Sequence, residues 1–234
     1  MMVDLNVEMA ELWASLNASS PGRGRVVQLI AARRGEGTST VARELAFHAA
    51  SRAGRSVWLV DVDLLASPQA AALAAEQPRY GGLGEAVSAS PDGSMFFTVR
   101  PPSASPEGEA WSDARFLAGH RIGALRWWVT RFRREALKPG QTVHVLPSGA
   151  YWQAMRRSAD LIVVDTPSPR RSQAGLTLAR FMDQTIMVVA ADEADIQAPA
   201  ALRDAVRGAG GAVGGVFLNR STVQPPPFLK AILP

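Results

Sequence analysis

VVQLIAARRGEGTST, residues 26–40, decides the fold. An apolar run of strand length leads into two arginines, a Gly-Glu-Gly turn and a row of small hydroxyl residues. Nucleotide-binding loops use this pattern: glycines let backbone N–H groups approach phosphates, and a hydroxyl at the start of the following helix can hold Mg²⁺. The position where such loops carry lysine is Thr38. The stretch therefore predicts nucleotide-binding architecture without the cation that phosphoryl transfer normally uses.

Working outward, further apolar runs at 57–61, 143–146, 161–165, 185–190 and 213–218 read as strands, and 39–53, 173–181 and 196–209 as helices. The runs are continuous rather than alternating, as expected of parallel strands covered on both faces. Strand–helix alternation predicts a single α/β domain, a doubly wound and mostly parallel sheet flanked by helices, with ligands at the carboxyl ends of the strands. The boundaries that follow are an N-terminal helix over 1–20, a P-loop-like domain over 21–222, and a Pro-rich tail over 223–234. An insertion at 88–140 interrupts the domain. Its first part is Pro/Ser/Gly-rich with little strand or helix signal.

In the second part, HRIGALRWWVTRFRREALK (120–138), Ile122, Leu125, Val129, Phe132 and Ala136 recur at three- and four-residue spacing. That predicts an amphipathic helix flanked by Arg126, Arg131, Arg133 and Arg134 and bordered by Trp127 and Trp128. Packing on the host domain is its first expected role, and contact with a membrane surface its second.

Composition narrows the chemistry. With no cysteine, a disulfide framework and a thiolate metal site are excluded, and the three histidines (His48, His120, His144) are scattered. The net charge of +4 comes almost wholly from arginine, since Lys138 and Lys230 are the only lysines, so a cation replacing the missing one would be arginine. Charge of this size gives no reason to expect a nucleic-acid partner. MMVDLNVEMAELW at the start carries acids where an export signal needs positive charge, and no apolar stretch approaches membrane-spanning length, so a cytoplasmic location is expected.

Three strand ends carry candidate functional groups. WLVDVD (58–63) places Asp61 and Asp63 at one tip, and LIVVDTPSP (161–169) places Asp165 at another. Carboxylates at neighbouring tips beside a phosphate loop suit Mg²⁺, a hard cation that takes oxygen ligands. GVFLNR (215–220) ends in Asn219, whose amide has the donor and acceptor needed to pair with an adenine edge.

GEG before the hydroxyls, VDVD (60–63), GLGEAV (82–87), VLPSG (145–149), VVDTP (163–167) and LN (218–219), in that order, resemble the cytoplasmic domain of the bacterial tyrosine autokinases of capsule and exopolysaccharide assembly. Those kinases belong to the broader MinD/ParA-like class of P-loop ATPases. The resemblance spans roughly 26–87 and 142–220. It implies that Gly35, Glu36, Gly37, Thr38, Ser39 and Thr40 surround the phosphates of ATP or ADP, that Ser39 ligates Mg²⁺, and that Asp165 holds the metal through water. It also implies that Asp61 activates the attacking group with Asp63 in support, that Asn219 reads adenine, and that Arg33 stands where the division ATPases place a second lysine.

The departures shape the expected function. Thr38 removes the cation at the β- and γ-phosphates. Tyr80 and Tyr151 are the only tyrosines, so the tyrosine-rich tail that such kinases phosphorylate is missing. The Glu-x-x-Arg-x-x-Arg pattern of their ring-forming helix keeps Glu8 but has Glu11 and Ala14 at the arginine positions, which bears on any homo-oligomer. The resemblance thus implies a degenerate relative that regulates capsule- or holdfast-type polysaccharide synthesis and export. Its expected partner is a membrane polysaccharide copolymerase, which would place it at the inner membrane. An active ATPase or kinase with arginine in place of lysine, and a MinD/ParA-like positioning protein, are the alternatives.

Overall fold

The computed structural model describes residues 5–17, 23–102, 111–192 and 197–220. The elements in chain order are α1 (Asn6–Asn17), β1 (Arg25–Ala31), α2 (Thr38–Ala50), β2 (Val57–Asp61), α3 (Pro68–Ala75), α4 (Gln77–Tyr80), β3 (Leu83–Ser88), β4 (Phe97–Arg100), β5 (Leu117–Ile122), β6 (Trp127–Phe132), β7 (Thr142–Val145), α5 (Ala150–Ser158), β8 (Leu161–Asp165), α6 (Ala174–Leu178), β9 (Gln184–Ala190), α7 (Gln197–Gly208) and β10 (Val213–Asn219). Short 3₁₀ turns at Asp113–Phe116, Arg134–Ala136 and Ala179–Phe181 complete them. The Pro-rich tail expected at 223–234 lies outside the described residues.

Eight strands form one sheet in the order β10-β9-β1-β8-β2-β6-β5-β3. The first six run parallel, while β5 and β3 extend the sheet antiparallel at one edge. This is the doubly wound α/β architecture expected from the sequence. β1 is buried along its whole length because both faces are covered. Val27 and Leu29 point into a core shared with Met9 of α1 and Leu45 of α2. Val26 faces Tyr151, Trp152 and Met155 of α5 on the opposite side. Each fully buried side chain of this kind contributes roughly 1.5–3 kcal/mol, which pins the strand and hence the loop that leaves it. Among the described residues, no helix is long and apolar enough to cross a membrane.

The insertion differs from expectation. Residues 120–138 are not a helix; they fall in the β5–β6 hairpin, which turns at Gly123 with φ +51°, and in the 3₁₀ turn that follows. Ile122, Val129 and Phe132 satisfy helical spacing by coincidence. The β-branched and aromatic run WWVTRF favours a pleated strand, where Trp127, Val129, Thr130 and Phe132 are buried. Trp128 stacks on Trp58 of β2, with ring centroids 5.6 Å apart. With its apolar residues inside the sheet, the segment has no amphipathic helix to lay on a membrane.

Two smaller corrections concern neighbouring segments. The run at 143–146 does not join the main sheet: β7 pairs antiparallel with β4 in a separate two-stranded sheet. β4 itself lies in the stretch read as lacking strand signal. It is held because Phe97 and Val99 pack into the core beside Phe132 and Tyr151.

Candidate nucleotide site

The loop between β1 and α2 has the shape the sequence demands. Gly35 and Gly37 have φ of +93° and +90°, in the left-handed region that side chains avoid. At Gly37 a Cβ would also lie 2.0 Å from the Asn219 amide nitrogen, so both backbone and space require glycine. Glu36 is buried, and its carboxylate accepts the Arg33 N–H at 3.1 Å, which closes the loop on itself. No side chain caps α2, so the partial positive charge of its first turn faces outward at Thr38, Ser39 and Thr40.

Asn219 does not line the cleft. Its amide donates to the Glu36 carbonyl at 2.9 Å and its oxygen accepts the Arg220 N–H at 3.0 Å, so it braces the loop from behind. Arg220 in turn donates to the Gly35 carbonyl.

Asp61 and Asp165 are register partners on the adjacent strands β2 and β8, as their positions at strand ends suggest. Both are buried. Asp61 accepts the N–H of Gln69 at 2.9 Å and that of Asp63 at 3.0 Å. Burial, and next the charge of Asp165, push its carboxyl well above the ordinary range despite those donors. Burial also raises Asp165, opposed by hydrogen bonds from Ser39 and Gln69.

Gln69 on α3 was not legible as a site residue, yet it organises this layer. Its amide nitrogen reaches Asp165 at 2.7 Å and the Ser39 carbonyl at 2.8 Å, while its oxygen accepts from Arg43 at 3.1 Å. The Ser39–Asp165 pair, expected to hold Mg²⁺, is thus engaged by the chain's own side chains. Asp63 forms an ion pair with Arg171 at 2.6 Å.

In front of this layer lies an open cleft of about 440 Å³ lined by the loop, Asp63, the 166–168 segment and four arginines: Arg33, Arg34, Arg171 and Arg220. Arg170 joins Arg33, Arg34 and Arg171 at an adjoining hollow. The segments after β8 and β10 thus bring further arginines to the residues expected from the loop alone. SPRR (168–171) and NR (219–220), each following a strand tip, were the available signals. The cradle fits a phosphate chain: outward backbone N–H groups, an uncapped helix start and several guanidinium groups. It offers Mg²⁺ much less, since the one carboxylate lining it among the described residues is already paired.

Fold and loop together define a P-loop NTPase-like α/β protein. Among solved structures, the chain is similar to the chimerical protein CapA2B2, with a TM-score of 0.62 at 15% identity over 92% of this chain and 84% of that one. The kinase domain of Escherichia coli tyrosine kinase ETK gives a TM-score of 0.54 at 13% identity, over 94% and 79%. The Pyrococcus furiosus cell division ATPase MinD gives 0.55 at 18%, over 88% and 77%. At these identities the likeness shows the shared fold. No family model matches the chain, and no curated protein matches it in sequence.

Proposed function

We propose that this chain is a lysine-less P-loop protein that regulates synthesis and export of a capsule- or holdfast-type exopolysaccharide. It does so by binding the cytoplasmic end of a membrane polysaccharide copolymerase, and it lacks tyrosine autokinase activity. The fold shared with a tyrosine kinase domain supports the branch, together with the order of motifs from GEGTST to LN.

The observation that carries the absence of autokinase activity is the state of the tyrosines. The sequence has two, Tyr80 and Tyr151, and both are buried. The Tyr80 hydroxyl donates to Glu44 and the Tyr151 hydroxyl to the Ala89 carbonyl. Burial pushes Tyr80 up to about 12 and Tyr151 upward as well, the opposite of what a phosphoryl acceptor needs. Thr38 at the loop removes a transition-state cation, a loss on the order of 10²–10³ in rate by analogy with other electrostatic stabilisers.

The test is affinity capture of the chain by the membrane copolymerase from the same cell, paired with a [γ-³²P]ATP labelling assay. Capture without labelled tyrosine is expected. Absence of capture removes the regulatory role, and labelled tyrosine removes the claim of inactivity.

A further inference from the structure

We infer that the cleft takes the phosphate chain of a nucleoside triphosphate without a divalent metal, arginine guanidinium groups supplying the charge that lysine and Mg²⁺ would otherwise bring. The inference rests on the cleft being the nucleotide site of the proposed function, and it concerns how that site holds its ligand.

Charge supply comes first. Among the described residues, Arg33, Arg34, Arg171 and Arg220 line the cleft with one carboxylate, Asp63, which Arg171 already neutralises, while Arg220 pairs with Asp192 beside it. Arg34 and Arg170 are exposed and have no ion pair with any described residue. Guanidinium groups stay charged at all relevant pH and grip phosphate oxygens through two parallel N–H bonds, which a lysine cannot do. They arrive from two separate segments, 33–34 and 170–171, so a chain of several phosphates can meet both.

The second strand is what happens to the metal's ligands. Asp165 is buried with Ser39 and Gln69 bonded to it, and Gln69 is itself anchored by Arg43 and the Ser39 carbonyl. A Mg²⁺ ion bound directly by Asp165 would have to displace a buried amide, and it would enter a cleft where, among the described residues, arginines outnumber acids. Its charge would be repelled from the arginines by the same interactions that attract phosphate. The phosphates instead meet the uncapped start of α2 and the arginines directly.

The test is calorimetric titration of the full chain with ATP, ADP and AMP, each in excess EDTA and in excess Mg²⁺. ATP is expected to bind in EDTA at least as tightly as in Mg²⁺, with affinity falling from ATP to ADP to AMP. Arg34→Ala with Arg170→Ala should weaken ATP about tenfold or more, an effect of about 1.4 kcal/mol. Arg203→Ala, on the exposed face of α7, should leave it unchanged. Binding that requires Mg²⁺, or that is indifferent to loss of Arg34 and Arg170, overturns metal-free capture while keeping a nucleotide site. Absence of binding in both buffers overturns the inference and the nucleotide site together. Copolymerase capture is read in a separate assay, so the regulatory role stands or falls there.

Discussion

Asp61 and Asp165 on one side, and Arg34 and Arg170 on the other, differ in what the chain does with them. The acids are buried at paired strand tips and held by Gln69, Ser39 and backbone N–H groups. Of the arginines, Arg34 stands exposed at the cleft and Arg170 at the hollow adjoining it. The acid layer belongs to the folded core as much as to a site, whereas the arginine rim costs the fold little and is available to a ligand. A P-loop-like chain with threonine at the lysine position can therefore carry these carboxylates for structural reasons. Retained acids are poor evidence of retained catalysis.

The loop joining the two sides is the most sensitive point. Gly37→Ala forces a Cβ onto a left-handed backbone and against the Asn219 amide, breaking its bond to Glu36. A loss of about 3 kcal/mol in urea denaturation is expected, together with loss of nucleotide binding. A stability change below about 0.5 kcal/mol would mean the loop is not held from behind.

Gln69→Ala breaks the acid layer itself. It leaves Asp165 and Arg43 short of a buried partner, and about 2 kcal/mol should be lost. An unchanged midpoint would show that water replaces the amide at no cost.

The pH dependence of stability sharpens the contrast through two groups of opposite sign. Asp61 has a raised folded value, so the stability linked to it is fully present below its unfolded value near 3.9 and is lost as pH rises through the folded one. Asp61→Asn should therefore compare more favourably with the wild type at pH 7 than at pH 4. At Asp160 burial opposes ionisation, but hydrogen bonds from the Arg55 backbone and guanidinium outweigh it and hold the carboxyl below its ordinary value. Its contribution is present above the unfolded value and lost as pH falls through the folded one. Asp160→Asn should cost about 1 kcal/mol at pH 7, with the difference shrinking in acid. Thermal melts across this range check both, and parallel profiles for the two variants would refute the assignment.

The smallest effect should come from the rim. Arg34→Ala with Arg170→Ala is expected to change stability by less than about 0.5 kcal/mol in the same denaturation assay. A larger loss would mean that these arginines are structural, like the acids.

The sequence was most readable where one physical cause dominates. β1, β2, β8, β9 and β10 came through as continuous apolar runs, and Asp61 and Asp165 followed from their ends. The hairpin was lost because Ile122, Val129 and Phe132 fit helical spacing, although WWVTRF and Gly123 argued for strand and turn. Gln69 was invisible because its role depends on α3 folding back over Ser39 and Asp165, a contact between residues 30 and 96 positions apart. Asn219 was found in the right place, but its amide is engaged with the loop, which only the packing of β10 behind Gly37 reveals.

The most direct test of the central claim is Mg²⁺-dependent ATP hydrolysis by the wild type beside Thr38→Lys. No turnover above background is predicted for the wild type. Wild-type hydrolysis that Thr38→Lys leaves unchanged would contradict the account, because an enzyme would then be working without the cation whose absence defines this protein.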